Sequence, residues 1–273
     1  MQRVVVVGVD RSLRARDAAG WAAGEAVRRS LPLRVVHVTP PGGPEGADGW
    51  PHHPEQAVAL VAAELTARHP GLAVECRWPT GVAAHVIGAH AAASDLIVLG
   101  LRGEGGRAGL ALGSTASAVA ATARCPVVLV PSRPGDAEPP RRQSRITAAV
   151  DARDPAEGAL GFAFDSARLH GAWLHTLHAE AGPGGKRERV AYADRSSRKG
   201  RLLAHTVRPW QEKYPDVRVW EDVALCGPVT ALADASRGTG LLVLGRRAGA
   251  RGLGPVADAV ARRTRCPLAV VPG

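Results

Sequence analysis

The chain has 273 residues, 45% of them hydrophobic and 22% charged, which suits two domains of ordinary size and excludes wholesale disorder. No run approaches the ~18 apolar residues of a membrane helix, and four cysteines with no C-x-x-C pair exclude a disulfide scaffold and predict buried, reduced thiols. The net charge of +10 divides as +2 over residues 1–137 and +8 over 138–273, but 32 of the 35 cationic residues are Arg, a bias that fits genome composition as well as an anionic partner.

Met1-Gln2-Arg3 leads straight into Val4–Val7 and Gly8-Val9-Asp10. This reads as a first strand over Arg3–Val9 and not as the apolar region of a secretory signal, so the expected compartment is cytoplasmic. Ser12 is placed to cap the helix that follows. Ala19, Ala22, Ala23, Ala26 and Val27 recur at i, i+3, i+4, i+7 and i+8, which predicts one buried face. Further strands are predicted over Leu33–Val38, Ala73–Arg77, Leu96–Leu99 and Val127–Val130. Helices are predicted between them, near Pro54–Arg68, Thr80–Ala92 and Gly113–Ala123. Near-continuous apolar strands separated by helices imply a parallel sheet covered on both faces. Cys125-Pro126 puts a proline at the start of the last strand, tolerable on or near an edge.

The second half repeats the first. Gly8-Val9-Asp10-Arg11 returns as Ala149-Val150-Asp151-Ala152, Val36-His37-Val38 as Leu177-His178-Ala179, and Arg124-Cys125-Pro126-Val127 as Arg265-Cys266-Pro267-Leu268, all at an interval of 141 residues. Leu96–Gly100 returns as Leu241–Gly245 at an interval of 145, so insertions and deletions compensate between shared landmarks. Two copies of one doubly wound α/β domain follow, over 1–131 and 144–273, with a linker over 132–143 rich in Pro, Arg and polar residues. In the second copy Asp154-Pro155 is predicted to cap and open the first helix.

Open parallel sheets bind ligands at the carboxyl ends of their strands. Here the first strand ends in Asp10, and the fourth ends in Leu99-Gly100 and enters a glycine-rich loop that runs to Gly113-Ser114-Thr115. Glycines admit a ligand close to the backbone. The helix start offers free N–H groups and a positive dipole end to a phosphate, and the two hydroxyls add donors. A P-loop is excluded by the absence of G-x-x-x-x-G-K-[ST]. Residues 103–108 fit G-x-G-x-x-A, but they follow the fourth strand and lack the acidic residue ~20 positions on, so that match carries little weight. The histidines diverge: His85 and His90 around a helix, His175 and His178 on opposite faces of a strand, and His52-His53 in a loop without a partner. No metal cluster is expected.

Gly100-x2-Gly103-x9-Gly113-Ser114 resembles the ATP-binding pattern G-x2-G-x9-G-[ST] of the universal stress protein family. The opening strand ending in Val-Asp, the Val36-His37-Val38 strand end, Ser94–Gly100 and the closing Cys-Pro-Val-Val-Leu-Val fall where that family places them. The matches cover almost all of residues 1–131 and, more weakly, 144–272, so the chain resembles a tandem universal stress protein. The resemblance implies two Rossmann-like domains of the adenine nucleotide alpha hydrolase type, each with a five-stranded sheet of order 3-2-1-4-5. It also implies ATP across the switch point of the sheet. Asp10 would contact the adenosine and the Val38 backbone the adenine. Leu99, Gly100 and Gly103 would line the path of ribose and phosphates, and Gly113, Ser114 and Thr115 would hold the phosphates. Mg or Mn would travel with the phosphates rather than in a protein cage. The function implied is a nucleotide-dependent stress-response regulator or sensor. The resemblance further implies pairing of Val127–Val130 with Leu268–Val271 within the chain, and leaves open a homodimer and a protein partner; no membrane partner is expected.

The second half departs from the pattern. Eight residues separate Gly245 from Gly254, against twelve between Gly100 and Gly113; Ala248 stands at the second glycine position, and Pro255 stands where Ser114 does. Proline removes both the hydroxyl and the N–H that a phosphate needs, so ATP is expected in the first domain alone. The counter-reading gives a phosphate to Arg246, Arg247 and Arg251, although a solvated basic loop is the commoner outcome. Two other functional classes remain in view. Slow ATP hydrolysis would use Glu104 to orient a water, a weak case for a glutamate on a glycine-rich loop. An anion- or nucleic-acid-binding module would use Lys186-Arg187-Glu188-Arg189 with Arg195, Arg198, Lys199 and Arg201, but only Tyr192 interleaves them and no nucleic-acid-binding motif accompanies them. The six tryptophans are scattered, which predicts core and helix packing; Trp50, in the long loop after the second strand, is the one placed to cover a nucleotide.

Overall fold

A computed structural model of the chain describes residues 3–10, 12–41, 54–103, 112–132, 145–180, 197–247, 249 and 252–273. The chain divides into two compact units, 1–135 and 136–273. In the first, β1 (Val4–Gly8), β2 (Leu33–Val36), β3 (Val74–Arg77), β4 (Ser94–Gly100) and β5 (Val127–Val130) form a parallel sheet of order β3-β2-β1-β4-β5. Val4–Val7 are fully buried, as a strand covered on both faces requires. α1 (Leu13–Arg29) packs with α2 (Pro54–Arg68) on one face of the sheet, and α3 (Ala83–Ala89) packs with α4 (Ser114–Thr122). The chain therefore leaves β1 and β4 toward opposite faces, which opens a crevice between their carboxyl ends.

α1 shows why this face fits. Ser12 accepts from the Ala15 amide at 3.2 Å and Ser30 closes the helix in the left-handed region at φ 54°. The buried stripe is Ala15, Ala18, Ala19, Ala22, Ala23 and Ala26, small residues that let the helix lie close to the sheet. The expectation for Val27 is corrected: it is 49% exposed, because it lies a further ~100° around the helix from Ala26. Glu25 is fully buried and is held by Arg29 at 2.7 Å, which also reaches Asp95 at 3.0 Å. The helix predicted over Thr80–Ala92 divides into α3 and a short 3-10 turn, His90–Ala93.

The second unit repeats the plan with β6 (Arg145–Ala149), β7 (Trp173–Ala179), β8 (Val219–Ala224), β9 (Leu241–Arg246) and β10 (Leu268–Pro272), again parallel, in the order β8-β7-β6-β9-β10. Its helices are α5 (Glu157–His170), α6 (Arg198–Lys213), α7 (Pro228–Ala235) and α8 (Pro255–Ala261). α5 does not begin at Asp154-Pro155. The Asp154 amide donates to the Asp151 carbonyl at 3.1 Å, so these residues are spent in a turn and Ala156 becomes the N-cap. Trp210 packs against Phe164 and Tyr214, but Trp78, Trp173 and Trp220 are about half exposed, contrary to the core role expected of them. Trp173 opens β7 under the Arg218 guanidinium, and Trp220 lies on the edge strand β8. Trp50 and the linker residues 133–143 lie outside the described residues. Among the described residues, no helix is long and apolar enough to cross a membrane. Cys125, Cys226 and Cys266 are buried thiols, whereas Cys76 is only partly buried; burial pushes the Cys125 and Cys266 thiols up to about 11.

A polar cluster interrupts the second core. Thr147 meets Thr239 at 2.7 Å and the buried His175 at 3.3 Å, while His175 stacks on Trp220 with centroids 4.8 Å apart. Burial first, and the Arg145 guanidinium second, push His175 down to about 4, despite the Asp222 carboxylate at 3.4 Å. The folded state therefore resists protonation that the unfolded chain accepts near pH 6.5. Stability contributed by this group is complete above pH 6.5 and is lost as the pH falls toward 4, by about 3 kcal/mol in all. Urea midpoints measured across this window are expected to fall more steeply in the native protein than in His175→Gln; equal slopes would remove His175 as the cause.

Candidate functional site

The crevice between β1 and β4 is a cavity of about 480 Å³. Its floor comes from the strand ends: Gly8, Val9 and Asp10 after β1, His37 and Val38 after β2, and Leu99, Gly100, Arg102 and Gly103 after β4. Its walls come from Ala15 of α1, Ala83 and Ile87 of α3, and Leu112 with Gly113–Ala116 at the start of α4. All eight positions singled out in the sequence (Asp10, Val38, Leu99, Gly100, Gly103, Gly113, Ser114 and Thr115) line this one cavity. The loop between Gly103 and Leu112, including Glu104, lies outside the described residues.

Close backbone approach shapes the floor. Asp10 Oδ1 accepts from the Ser12 amide at 2.9 Å and from the Ser12 hydroxyl at 2.6 Å, so the residue that caps α1 also fixes the carboxylate. Asp10 Oδ2 then faces Gly103 so closely that a Cβ there would collide with it. At Gly8 a Cβ would come within 2.5 Å of Leu99 and 2.8 Å of Ile87. His37 Nδ1 lies 3.0 Å from the Val9 carbonyl, to which it donates, and this latches the end of β2 to that of β1.

The far wall is a helix start. The Gly113 amide donates to the Leu101 carbonyl at 2.7 Å, fixing where α4 begins, and the Ser117 amide returns to the Gly113 carbonyl at 2.9 Å. Gly113 is the N-cap and has no side chain to cap with. The amides of Ser114, Thr115 and Ala116 precede the first intrahelical donor, so they face the cavity mouth with the positive end of the dipole behind them. One carboxylate, two hydroxyls and this helix start suit an anion at the α4 end and a hydrogen-bonding neutral group near Asp10.

The second unit keeps the strand ends but not the cradle. The Arg153 amide bonds Asp151 Oδ1 at 3.1 Å, as Ser12 does Asp10, and His178 Nδ1 lies 3.0 Å from the Val150 carbonyl, as His37 does from Val9. Arg247 reaches Asp151 and Asp154 at 3.8 Å each. Arg153 and Lys199 hold Glu180 at 2.8 and 3.1 Å, and Lys199 first, then Arg153, lower that carboxyl's pKa. α8 opens on Pro255 after Gly254 at φ 81°, so its first helical residue offers neither an amide proton nor a hydroxyl. Ala248, Arg251 and the basic residues Lys186–Arg195 lie outside the described residues, and of the remaining basic cluster Lys199 is the one paired with Glu180. Among the described residues no group of three or more His, Cys, Asp or Glu is placed to hold a metal.

The sequence motif did not include His37, Arg102, Ala83 or Ile87. His37 carried a signal in its recurrence as His178, and Arg102 lies within the G-x2-G spacing. Ala83 and Ile87 arrive from α3 through tertiary packing, which no local motif encodes.

The sequence profile described as "Universal stress protein family" matches residues 1–131 and again 143–272. A universal stress protein of Mycobacterium tuberculosis (strain H37Rv) is 32% identical over 292 residues, covering 98% of this chain and 97% of its own length. A universal stress protein of Mycolicibacterium smegmatis is 30% identical over 288 residues, covering 98% and 96%. Among solved structures, a universal stress protein from Archaeoglobus fulgidus superposes with a TM-score of 0.71 at 19% identity, covering 98% of this chain and 96% of that one, a likeness of fold.

The packing at Gly103 is testable by itself. Gly103→Ala is expected to force the Asp10 carboxylate away from Ser12 and lower stability by about 1–2 kcal/mol. Gly20→Ala, in α1 with nothing within 4 Å of the added methyl, is expected to raise it by about 0.5–1 kcal/mol. Urea unfolding of both variants checks the contrast, and a neutral Gly103→Ala would contradict the contact.

Proposed function

The chain belongs to the universal stress protein family, and from that premise we propose that its first domain binds ATP and serves as a nucleotide-dependent regulator or sensor in a stress response, with the second domain not binding nucleotide. The observation that carries the reading is the single cavity that gathers Asp10, Val38, Leu99, Gly100, Gly103, Gly113, Ser114 and Thr115.

In this reading the adenosine lies over the ends of β1 and β2. Asp10, oriented by Ser12, accepts from a ribose hydroxyl with Oδ2, while the Val38 backbone meets the adenine edge. Gly100 and Gly103 let the ribose and phosphates pass close to the chain. The phosphates meet the amides at the start of α4, with Ser114 and Thr115 adding hydroxyl donors. Mg or Mn fits the donor set as a companion of the phosphates: one carboxylate and two hydroxyls complement a hydrated ion but do not enclose it. Bound metal would offset phosphate charge, while the chain's own residues orient the nucleotide.

The second domain's departures support one site per chain. Pro255 takes a donor from the helix start, and Arg247 lies against Asp151, the counterpart of Asp10. Calorimetric titration with MgATP is expected to give one equivalent per chain. Replacing Gly113→Ala and Ser114→Pro together, which installs the second domain's proline, is expected to weaken binding at least tenfold. Two equivalent sites, or undiminished binding in the variant, would overturn the proposal.

A further inference from the structure

We propose that the strand-start end of the second domain's sheet is a binding surface for single-stranded nucleic acid, with Trp220 as the stacking platform for a base and Arg145, Arg218 and Arg237 as partners for its phosphates. The surface lies at the opposite end of the strands from the ends that form the nucleotide cavity in the first domain, and it uses no residue of the ATP reading.

Strand register assembles the surface. Arg145 of β6 is paired with Trp173 of β7, and the Arg218 guanidinium lies over the Trp173 ring at 5.5 Å. Two residues further along, Thr147 is paired with His175 at 3.3 Å, and His175 with Trp220 at 4.8 Å between ring centroids. Side chains two apart on a strand share a face. One face therefore carries Arg145, Trp173 and Arg218 in one row and Thr147, His175 and Trp220 in the next. β8 is the edge of its sheet, and Trp173 and Trp220 remain 50% and 44% exposed. Buried His175 backs the Trp220 ring and holds its orientation, which leaves the other side of the indole to solvent. Arg218 is exposed, and so is Arg237 in the 3-10 turn Ser236–Gly238, where a Cβ on Gly238 would come within 2.8 Å of the Arg145 guanidinium. Among the described residues none of these three arginines has a carboxylate within ion-pair reach. Of the carboxylates on β8, Glu221 meets Gln211 of α6 on the other face at 3.4 Å, and Asp222 lies 3.4 Å from His175 Nε2, one step further along the strand.

The first domain has the same strands without this surface. At the interval of 141 residues, Val4, Pro32, Val6 and Arg34 stand for Arg145, Trp173, Thr147 and His175. Leu33 pairs with Val74 as Leu174 pairs with Val219, so Ala73 stands for Arg218 and Glu75 for Trp220. The row of Arg, Trp and Arg becomes Val, Pro and Ala, and in the next row Glu75 neutralises Arg34 at 2.9 Å. The pattern is therefore no requirement of the fold, and it lies in the half that carries +8 of the net charge. Alternating indole planes and guanidinium groups suit a single strand, because every base has a π-face to stack and every phosphate a charge to meet. A duplex hides its base faces, and an acidic peptide would use the arginines while leaving the indole plane without a partner.

The test follows the anisotropy of labelled oligouridylate and oligodeoxythymidylate, each of about 12 nucleotides and so within the ~4–16 that such surfaces span, as full-length protein is added at low and moderate salt. Saturable binding that weakens with salt is expected. Trp220→Ala is expected to weaken it about fivefold or more, whereas Trp220→Tyr, which keeps an aromatic plane, is expected to stay within about twofold. Arg145→Gln with Arg218→Gln is expected to cost about tenfold, and Arg187→Gln with Arg189→Gln, the same loss of charge from the basic run of the sequence, less than about twofold. If urea unfolding shows that Trp220→Ala does not fold, the two arginine pairs carry the test. A preference between the oligonucleotides identifies the strand as RNA or DNA. Absence of saturable binding, undiminished binding in folded Trp220→Ala, or equal losses in the two arginine pairs would overturn the inference. So would displacement by polyglutamate as effective, charge for charge, as displacement by unlabelled oligonucleotide, since the surface would then read charge alone, as for an acidic protein.

Discussion

The approach of Gly103 to the Asp10 carboxylate is the contact on which the first domain's cavity depends. It joins the loop after β4 to the loop after β1 at the place where the sheet reverses its winding. Ser12 supplies the other half of the arrangement, since one side chain caps α1 and holds Asp10 by its hydroxyl while its amide adds a second bond. With one oxygen fixed by Ser12, the other lies against Gly103, where an added methyl group would collide with it.

The two domains separate what the fold requires from what the site requires. Both keep parallel strands in the same order, an aspartate after the first strand and a histidine that latches the second strand to the first at 3.0 Å. These features recur where the helix cradle is lost, so they belong to the architecture. Ser12, Gly103 and the Gly113-Ser114 helix start occur in the first domain alone, and there they converge on one cavity. In the second domain the corresponding region is occupied by ion pairs among Asp151, Asp154, Arg247, Glu180, Arg153 and Lys199. Most of these are exposed and add little stability; their effect is to meet charge within the chain.

Much of this was legible in the residues. The valine run of β1, the span of α2 and the Ser12 cap follow from local pattern, and the glycine spacing pointed to residues that share a cavity. What was not legible depends on distant partners. Val27 continues the apolar spacing of α1, but the sheet beneath is already filled by alanines up to Ala26. Asp154-Pro155 has the chemistry of a helix start, yet a turn closed on Asp151 takes it first. Ile87 reaches the cavity only because α3 packs beside α4. Trp173 and Trp220 read as core by residue type, but one opens a strand and the other lies on an edge. Spacing reports which residues share a strand end; it carries no record of what a neighbouring element brings across.

The central claim, that the β1–β4 crevice of the first domain holds the nucleotide and its counterpart does not, is tested most directly by titrating MgATP into isotope-labelled protein and following assigned backbone amides by NMR. The account predicts saturable shifts at Gly103, Gly113, Ser114, Thr115 and Ala116, with the amides of Val256 and Ala257 at the start of α8 unmoved. Shifts concentrated in the second domain, or none at the start of α4 at saturating MgATP, would contradict it.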